Sequence, residues 1–224
     1  KIENTRALGA ETALYDRVAG EDRDALGAQI AADRGLTLIK PFDNEEVIAG
    51  QGTTGLEIAA QARELGINAK NVVVCCGGGG FASGIALALE AEAPEMQVRP
   101  AEPANFDDMA RSLVSGERLR NASTSGSICD AIISPTPGAL TFPILKRLAG
   151  PGLVVSDDEA LHGMVQAFEH FKLVAEPGGA VALAAALFRA DEIEGDDVIV
   201  TISGGNVDAE VFEMALNRFG DKTL

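Results

Sequence analysis

The run "NVVVCC" at residues 71–76 is apolar from Val72 onward, with no alternation of polar and apolar positions. A strand of that kind presents apolar side chains on both faces, so it belongs inside a sheet that is covered on both sides. "GLVVS" at 152–156 and "DDVIVTI" at 196–202 repeat the pattern. Between such runs lie segments of helical periodicity, and this alternation predicts an α/β chain with a parallel twisted sheet and helices on both faces. In sheets of that class ligands bind beyond the carboxyl ends of the strands.

Strands are expected at "ETALY" (11–15), "LTLI" (36–39), "NVVVCC", "MQVRPAE" (96–102), "GLVVS" and "DDVIVTI", the last as a buried strand. Helices are expected at 21–35, 51–66, 81–93, 105–116, 141–150, 157–173, 176–190 and 208–219. Gly35 and Gly66 supply stop signals, and Pro94 ends the helix before it. Residues 117–138, rich in Ser, Thr, Gly and Pro, read as a long loop. No internal repeat is present.

Two of the buried strands end in glycine: "VVVCC" runs into Gly77, Gly78, Gly79 and Gly80, and "VIVTI" runs into "SGGN". Consecutive glycines leave backbone N–H groups free to converge on an anion, and the following helix adds the positive end of its dipole. No Gly-Lys-Ser/Thr follows, which excludes a P-loop, and Gly-x-Ser-x-Gly is absent, which excludes a hydrolase elbow. Gly77-x-Gly79-x-x-Ala82 also fits the dinucleotide fingerprint, with Glu102 about 20 residues on as ribose acceptor. A close strand–helix turn without ligand is the third reading of the loop.

The 224 residues carry a net charge of −16. A surface so acidic repels nucleic acid and anionic membrane, and an anionic ligand must be held by amides and helix ends. The apolar run "AVALAAALF" (180–188) is too short to span a bilayer. Cys75, Cys76 and Cys129 give no disulfide framework, and a reducing cytoplasm is expected.

"DNEEVIAGQGTTGLEI" (43–58), "GGGGFASGIALALEA" (77–91), "AEPANFDD" (101–108), "EPGGAVALAAAL" (176–187) and "VTISGGNVD" (200–208) occur in this order. Together they resemble the pyridoxal-phosphate enzymes of the tryptophan-synthase-β fold type (PLP fold type II), most of all the serine/threonine dehydratases and serine racemase. The resemblance covers the whole chain. It implies that Gly77, Gly78, Gly79 and Gly80, with the Phe81 amide, wrap the phosphate of pyridoxal 5'-phosphate. Ser203 would face the pyridine nitrogen, where a neutral hydroxyl leaves the ring a weaker electron sink than a carboxylate does. Glu176 would lie near the cofactor. On the residues alone, Ser203 also fits a turn serine, and Glu176 a carboxylate at a helix N-terminus.

By the same resemblance, Glu102, the Phe106 carbonyl and Asp108 would bind a divalent cation, and oxygen ligands suit Mg2+ or Ca2+. Asn105 and Asp108 also fit a helix N-cap followed by an acidic third position. His162 and His170 are expected on a helix as surface or packing residues.

The family's Schiff-base lysine stands in a Ser-x-Lys-x-x-Gly context. None of Lys1, Lys40, Lys70, Lys146, Lys172 and Lys222 has that context, and of these Lys40 alone is expected near a strand end. "KIENTRALGAETALY" matches a family segment downstream of that lysine. The resemblance thus implies a chain incomplete at its N-terminus. Residues 1–42 would be the remainder of the small mobile domain and 43–224 the large cofactor-binding domain. The complete enzyme, expected as a homo-oligomer, would convert a small hydroxy-amino acid such as threonine or serine to a 2-oxo acid and ammonia, and this chain alone would be inactive. An amino-acid racemase on the same scaffold, a non-catalytic phosphate-ligand-binding domain and a nicotinamide oxidoreductase are the alternatives.

Overall fold

The computed structural model describes residues 2–16 and 19–220. The chain divides into two compact units, Lys1–Lys40 and Pro41–Leu224.

The first unit holds helices α1 (Ile2–Ala7) and α2 (Arg23–Arg34). Asp22 caps α2 by accepting from the Asp24 and Ala25 amides, and Gly35 closes it at φ 63°. "ETALY" and "LTLI" are not strands: both segments are irregular. A strand needs a partner for its N–H and C=O groups, and the unit offers none among the described residues. Leu14, Leu36 and Ile39 are exposed instead.

The second unit is built on four parallel strands: β1 (Asn71–Cys75), β2 (Gln97–Pro103), β3 (Leu153–Val155) and β4 (Val198–Val200). Their order is β3-β2-β1-β4, with Val72 opposite Val98 and Ile199, and Ala101 opposite Leu153. The helices are α3 (Glu45–Leu65), α4 (Gly80–Glu92), α5 (Asp108–Ser115), α6 (Thr141–Leu148), α7 (Asp157–Phe171), α8 (Pro177–Phe188) and α9 (Ala209–Phe219).

The period-2 geometry of β1 explains its uniform apolarity. Val72, Val74 and Cys76 pack with Ile85, Leu89, Phe142 and Leu145 under α4 and α6. Val73 and Cys75 pack on the opposite face with Val181, Ala182 and Ala185 of α8. α7, α8 and α9 share a further cluster around Leu161, Met164 and Ala215. Helix α3 lies directly on α4 because both carry glycine where they meet: a Cβ on Gly55 would stand 2.8 Å from the Ile85 carbonyl.

β4 is not the buried strand that its sequence suggests. Among the described residues it pairs with β1 alone and forms one edge of the sheet, and Val198 is partly exposed. The irregular residues 117–138 return across the carboxyl end of the sheet and are pinned there. Asn121 donates to Asp108 and to the Ser134 carbonyl, and Asp157 accepts from Ser127 and the Ile128 amide.

Candidate cofactor site

β1 ends at Cys75, and the Cys76 amide still bonds the Ala101 carbonyl at 2.9 Å. The chain then turns through Gly77 and Gly78 to Gly79, whose φ of 95° caps α4 without any side-chain bond. That backbone is strained for any residue with a Cβ. The first intrahelical bond runs from the Ser83 amide to the Gly79 carbonyl. Before it, the amides of Gly77, Gly78, Gly79, Gly80 and Phe81 donate to no protein acceptor among the described residues. They are the orphan donors of a helix start, joined by those of the turn.

No side chain fits along this turn. A Cβ on Gly77 would meet the Ile132 carbonyl at 2.9 Å, one on Gly80 would meet the Phe42 Cα at 2.8 Å, and one on Gly79 would meet the Met109 Cε at 2.8 Å. The loop is thus bare backbone held by Phe42, Ile132, Met109 and Thr141. Its amides, together with the α4 dipole, fit a phosphate without a cationic side chain.

The Gly78 carbonyl is held from the α6 side. It accepts from the Thr141 hydroxyl at 2.6 Å and from the Gly138 amide at 3.1 Å. Asp43 in turn accepts from the Ala139 and Leu140 amides at 2.9 and 2.8 Å. None of Asp43, Gly138 and Thr141 stood out in the sequence. Their partners lie as far as 97 residues away, and no local spacing signals such a contact.

The second glycine turn lies beside the first. The Glu176 amide donates to the Gly204 carbonyl at 2.9 Å, and the Ser203 amide to the Gly179 carbonyl at 3.3 Å. Cys75 joins the two turns: its thiol approaches the Gly179 carbonyl at 3.3 Å. Burial pushes that thiol's pKa up, while the Ala182 backbone and the Ser203 and Thr201 hydroxyls pull it down. Ser203, Glu176 and the glycine loop therefore meet at the carboxyl ends of β1 and β4. Ile132 packs against both Gly77 and Gly178.

Glu102, Phe106 and Asp108 form a second group at the end of β2. Glu102 is fully buried, and its two oxygens accept from the Met109 and Ala110 amides at 3.0 and 2.7 Å. This carboxylate faces inward and caps α5 from a neighbouring strand, which leaves it no route to a ribose. The residue at the N-cap is Asp107, not Asn105, and Asp107 makes no side-chain cap bond. Asn105 instead takes a left-handed turn at φ 69°. The cap is built from β2, which frees the local residues from that task. Asp108 accepts from Asn121 at 2.7 Å through one oxygen, and its other oxygen is buried without a hydrogen-bond partner. Burial pushes Asp108 up to about 7, against the pull of Asn121. Burial, and then the charge of Asp108, push Glu102 up as well. Among the described residues no three His, Cys, Asp or Glu side chains gather at metal-binding distance.

Of the remaining sequence candidates, His162 stacks on Phe219 with centroids 5.3 Å apart and serves packing. Cys75, Cys76 and Cys129 are buried and unpaired by disulfides. Lys40 follows an irregular segment, not a strand. No helix among the described residues is long and apolar enough to cross a membrane.

The chain thus combines a parallel sheet, a bare glycine turn that opens α4 and a serine just beyond the adjacent strand β4. The chain matches the family described as "Pyridoxal-phosphate dependent enzyme" over residues 1–205, and it belongs to that family. It is 34% identical over 218 residues to L-threonine ammonia-lyase of Thermotoga maritima, covering 97% of this chain and 53% of that protein. It is 33% identical to a serine racemase of Oryza sativa subsp. indica, covering 97% of this chain and 64% of that one. Among solved structures, a threonine deaminase from T.th. superposes with a TM-score of 0.78 at 35% identity, covering 91% of this chain and 70% of that one. Maize serine racemase superposes with a TM-score of 0.84 at 31% identity, covering 97% and 67%. The fold is that of the tryptophan-synthase-β-like pyridoxal-phosphate enzymes, and the chain spans between about half and two thirds of the length of these curated relatives.

Proposed function

We propose that the protein is a pyridoxal-phosphate-dependent ammonia-lyase that converts a small hydroxy-amino acid, such as threonine or serine, to a 2-oxo acid and ammonia. The observation that carries this reading is the set of amides from Gly77 to Phe81, which have no protein acceptor among the described residues and stand at the start of α4. In this reading they hold the cofactor phosphate. The bound cofactor supplies an electron sink that acidifies the amino acid's α-hydrogen. Ser203 offers a neutral hydroxyl to the ring nitrogen, and Glu176 borders the site at the start of α8. The imine-forming amine comes from outside these residues, since no lysine here has the family context, so the 224 residues alone give no turnover. Residues 1–42 would then belong to a small mobile domain, and the complete enzyme to a homo-oligomer.

A divalent cation, Mg2+ or Ca2+, at Glu102, the Phe106 carbonyl and Asp108 is part of the proposal. The buried Asp108 oxygen without a partner supports it, as does an all-oxygen donor set.

A racemase on the same scaffold is the second reading, because the relatives of comparable identity carry both names. The test is to supply the complete enzyme, of which these 224 residues are part in this reading, with pyridoxal phosphate and, in turn, L-threonine, L-serine and 3-hydroxyaspartate. Release of 2-oxo acid and ammonia supports the lyase. D-amino acid without ammonia supports the racemase, and no product from any of them contradicts both.

A further inference from the structure

The glycine turn owes its direction to a residue outside it. We propose that Thr141 is a positioning residue for the phosphate cradle, acting through the Gly78–Gly79 peptide; this rests on the cofactor reading above. No peptide bond among the described residues is cis. In a trans peptide the C=O of one residue and the N–H of the next point in opposite directions. The Thr141 hydroxyl and the Gly138 amide both grip the Gly78 carbonyl from the α6 side, at 2.6 and 3.1 Å. The Gly79 N–H is thereby turned away from α6 and held there, and it meets no protein acceptor among the described residues.

Glycine on both sides of that peptide makes the grip necessary. Gly78 and Gly79 have wide conformational freedom, and an unrestrained peptide plane between them would flip at little cost. A donor that converges on an anion only part of the time loses affinity in proportion. Thr141 is suited to restrain it: it is wholly buried, and its own carbonyl accepts from Ser83 Oγ at 3.3 Å. Its place at the first turn of α6 is set by Asp43, which binds the Ala139 and Leu140 amides. A chain of contacts thus runs from Asp43 through the start of α6 and the Thr141 hydroxyl to the Gly78 carbonyl and the Gly79 amide. Gly138 belongs to it as well, because a Cβ there would stand 2.8 Å from the Asp43 Cγ.

The experiment measures affinity for pyridoxal phosphate and for pyridoxal, which lacks the phosphate, in the wild-type protein, Thr141→Val and Thr141→Ser. Urea midpoints are measured alongside. Valine keeps the shape and removes the donor, whereas serine keeps the donor. The wild type should prefer pyridoxal phosphate. Thr141→Val should lose roughly 10- to 100-fold of that preference, the worth of one hydrogen bond to a charged group, with pyridoxal affinity unchanged. Thr141→Ser should restore it. Equal preference in Thr141→Val and wild type overturns the inference while leaving the cradle standing. A wild type with no preference removes the cradle reading and this inference with it. If Thr141→Val does not fold, Asp43→Asn replaces it, since that side chain is only half-buried. A selective loss for the phosphorylated ligand in Asp43→Asn supports the chain of contacts, and an unchanged ratio overturns it.

Discussion

The Ser203 amide donates to the Gly179 carbonyl at 3.3 Å, so the serine three residues beyond β4 is fixed by the first turn of α8. This bond uses backbone only. It leaves the Ser203 hydroxyl directed by its neighbours, of which the Cys75 thiol is one.

That separation gives the first prediction. In the complete enzyme, Ser203→Ala should keep the turn and lose the hydroxyl. Stability should change by no more than about 0.5 kcal/mol, as for other exposed positions. Turnover should fall roughly tenfold or more, the value of one hydrogen bond to a charged group. Steady-state kinetics and thermal melts on the same preparation check this. A large loss of stability with normal activity in the folded fraction would assign the serine to the turn.

The lysines give the second. Lys70 stands at the start of β1, the end opposite the glycine turn. Lys146 and Lys172 have their amines on the Gly116 and Glu169 carbonyls, each at 2.8 Å. Lys1 and Lys222 lie outside the described residues. Borohydride reduction of the 224-residue chain with pyridoxal phosphate, followed by peptide mapping, should label none of the six lysines stoichiometrically. One fully labelled lysine, with 2-oxo acid formed from threonine or serine, would contradict this.

The third concerns the acidic pair. If Glu102 and Asp108 bind a cation, Mg2+ or Ca2+ at 100 times its dissociation constant should raise the melting temperature by roughly 5–10 °C. Asp108→Asn should abolish the rise. An equal rise in both proteins leaves Glu102 as a helix cap alone.

The fourth is a control away from the site. Glu159 completes a capping box with Ser156 and pairs with Arg189 at 2.9 Å. Burial pushes its pKa up, but Arg189 and Ser156 outweigh burial and hold it below the usual carboxylate range. A lowered carboxylate stabilises the fold above its unfolded pKa, and that contribution disappears as pH falls through the folded one. Glu159→Gln should therefore be less stable than wild type at pH 7, by about 0.5–1 kcal/mol given its partial exposure. The two urea curves should converge as the pH falls below 4.5. A gap that stays constant with pH would show that the charge is not its source.

The strand NVVVCC, the glycine turn and the serine turn were legible because each is a local signal: an apolar run, four bare residues, a second glycine stop. The segments "ETALY" and "LTLI" read as strands on propensity, yet a strand exists only where a partner accepts its hydrogen bonds, and propensity carries no information about partners. Glu102 fits a ribose acceptor by spacing alone, but its oxygens accept from the Met109 and Ala110 amides at the start of α5, a contact that spacing does not signal. Thr141 and Asp43 gave no signal at all, because what they hold is distant backbone.

In the proposed function the amides from Gly77 to Phe81 bind the cofactor phosphate. Amide 1H–15N spectra of the protein, recorded while pyridoxal phosphate or inorganic phosphate is added, test it most directly. The largest saturable shifts should fall on Gly77, Gly78, Gly79, Gly80 and Phe81, with both ligands. Saturable binding that leaves these five amides unmoved, while resonances elsewhere respond, would contradict it.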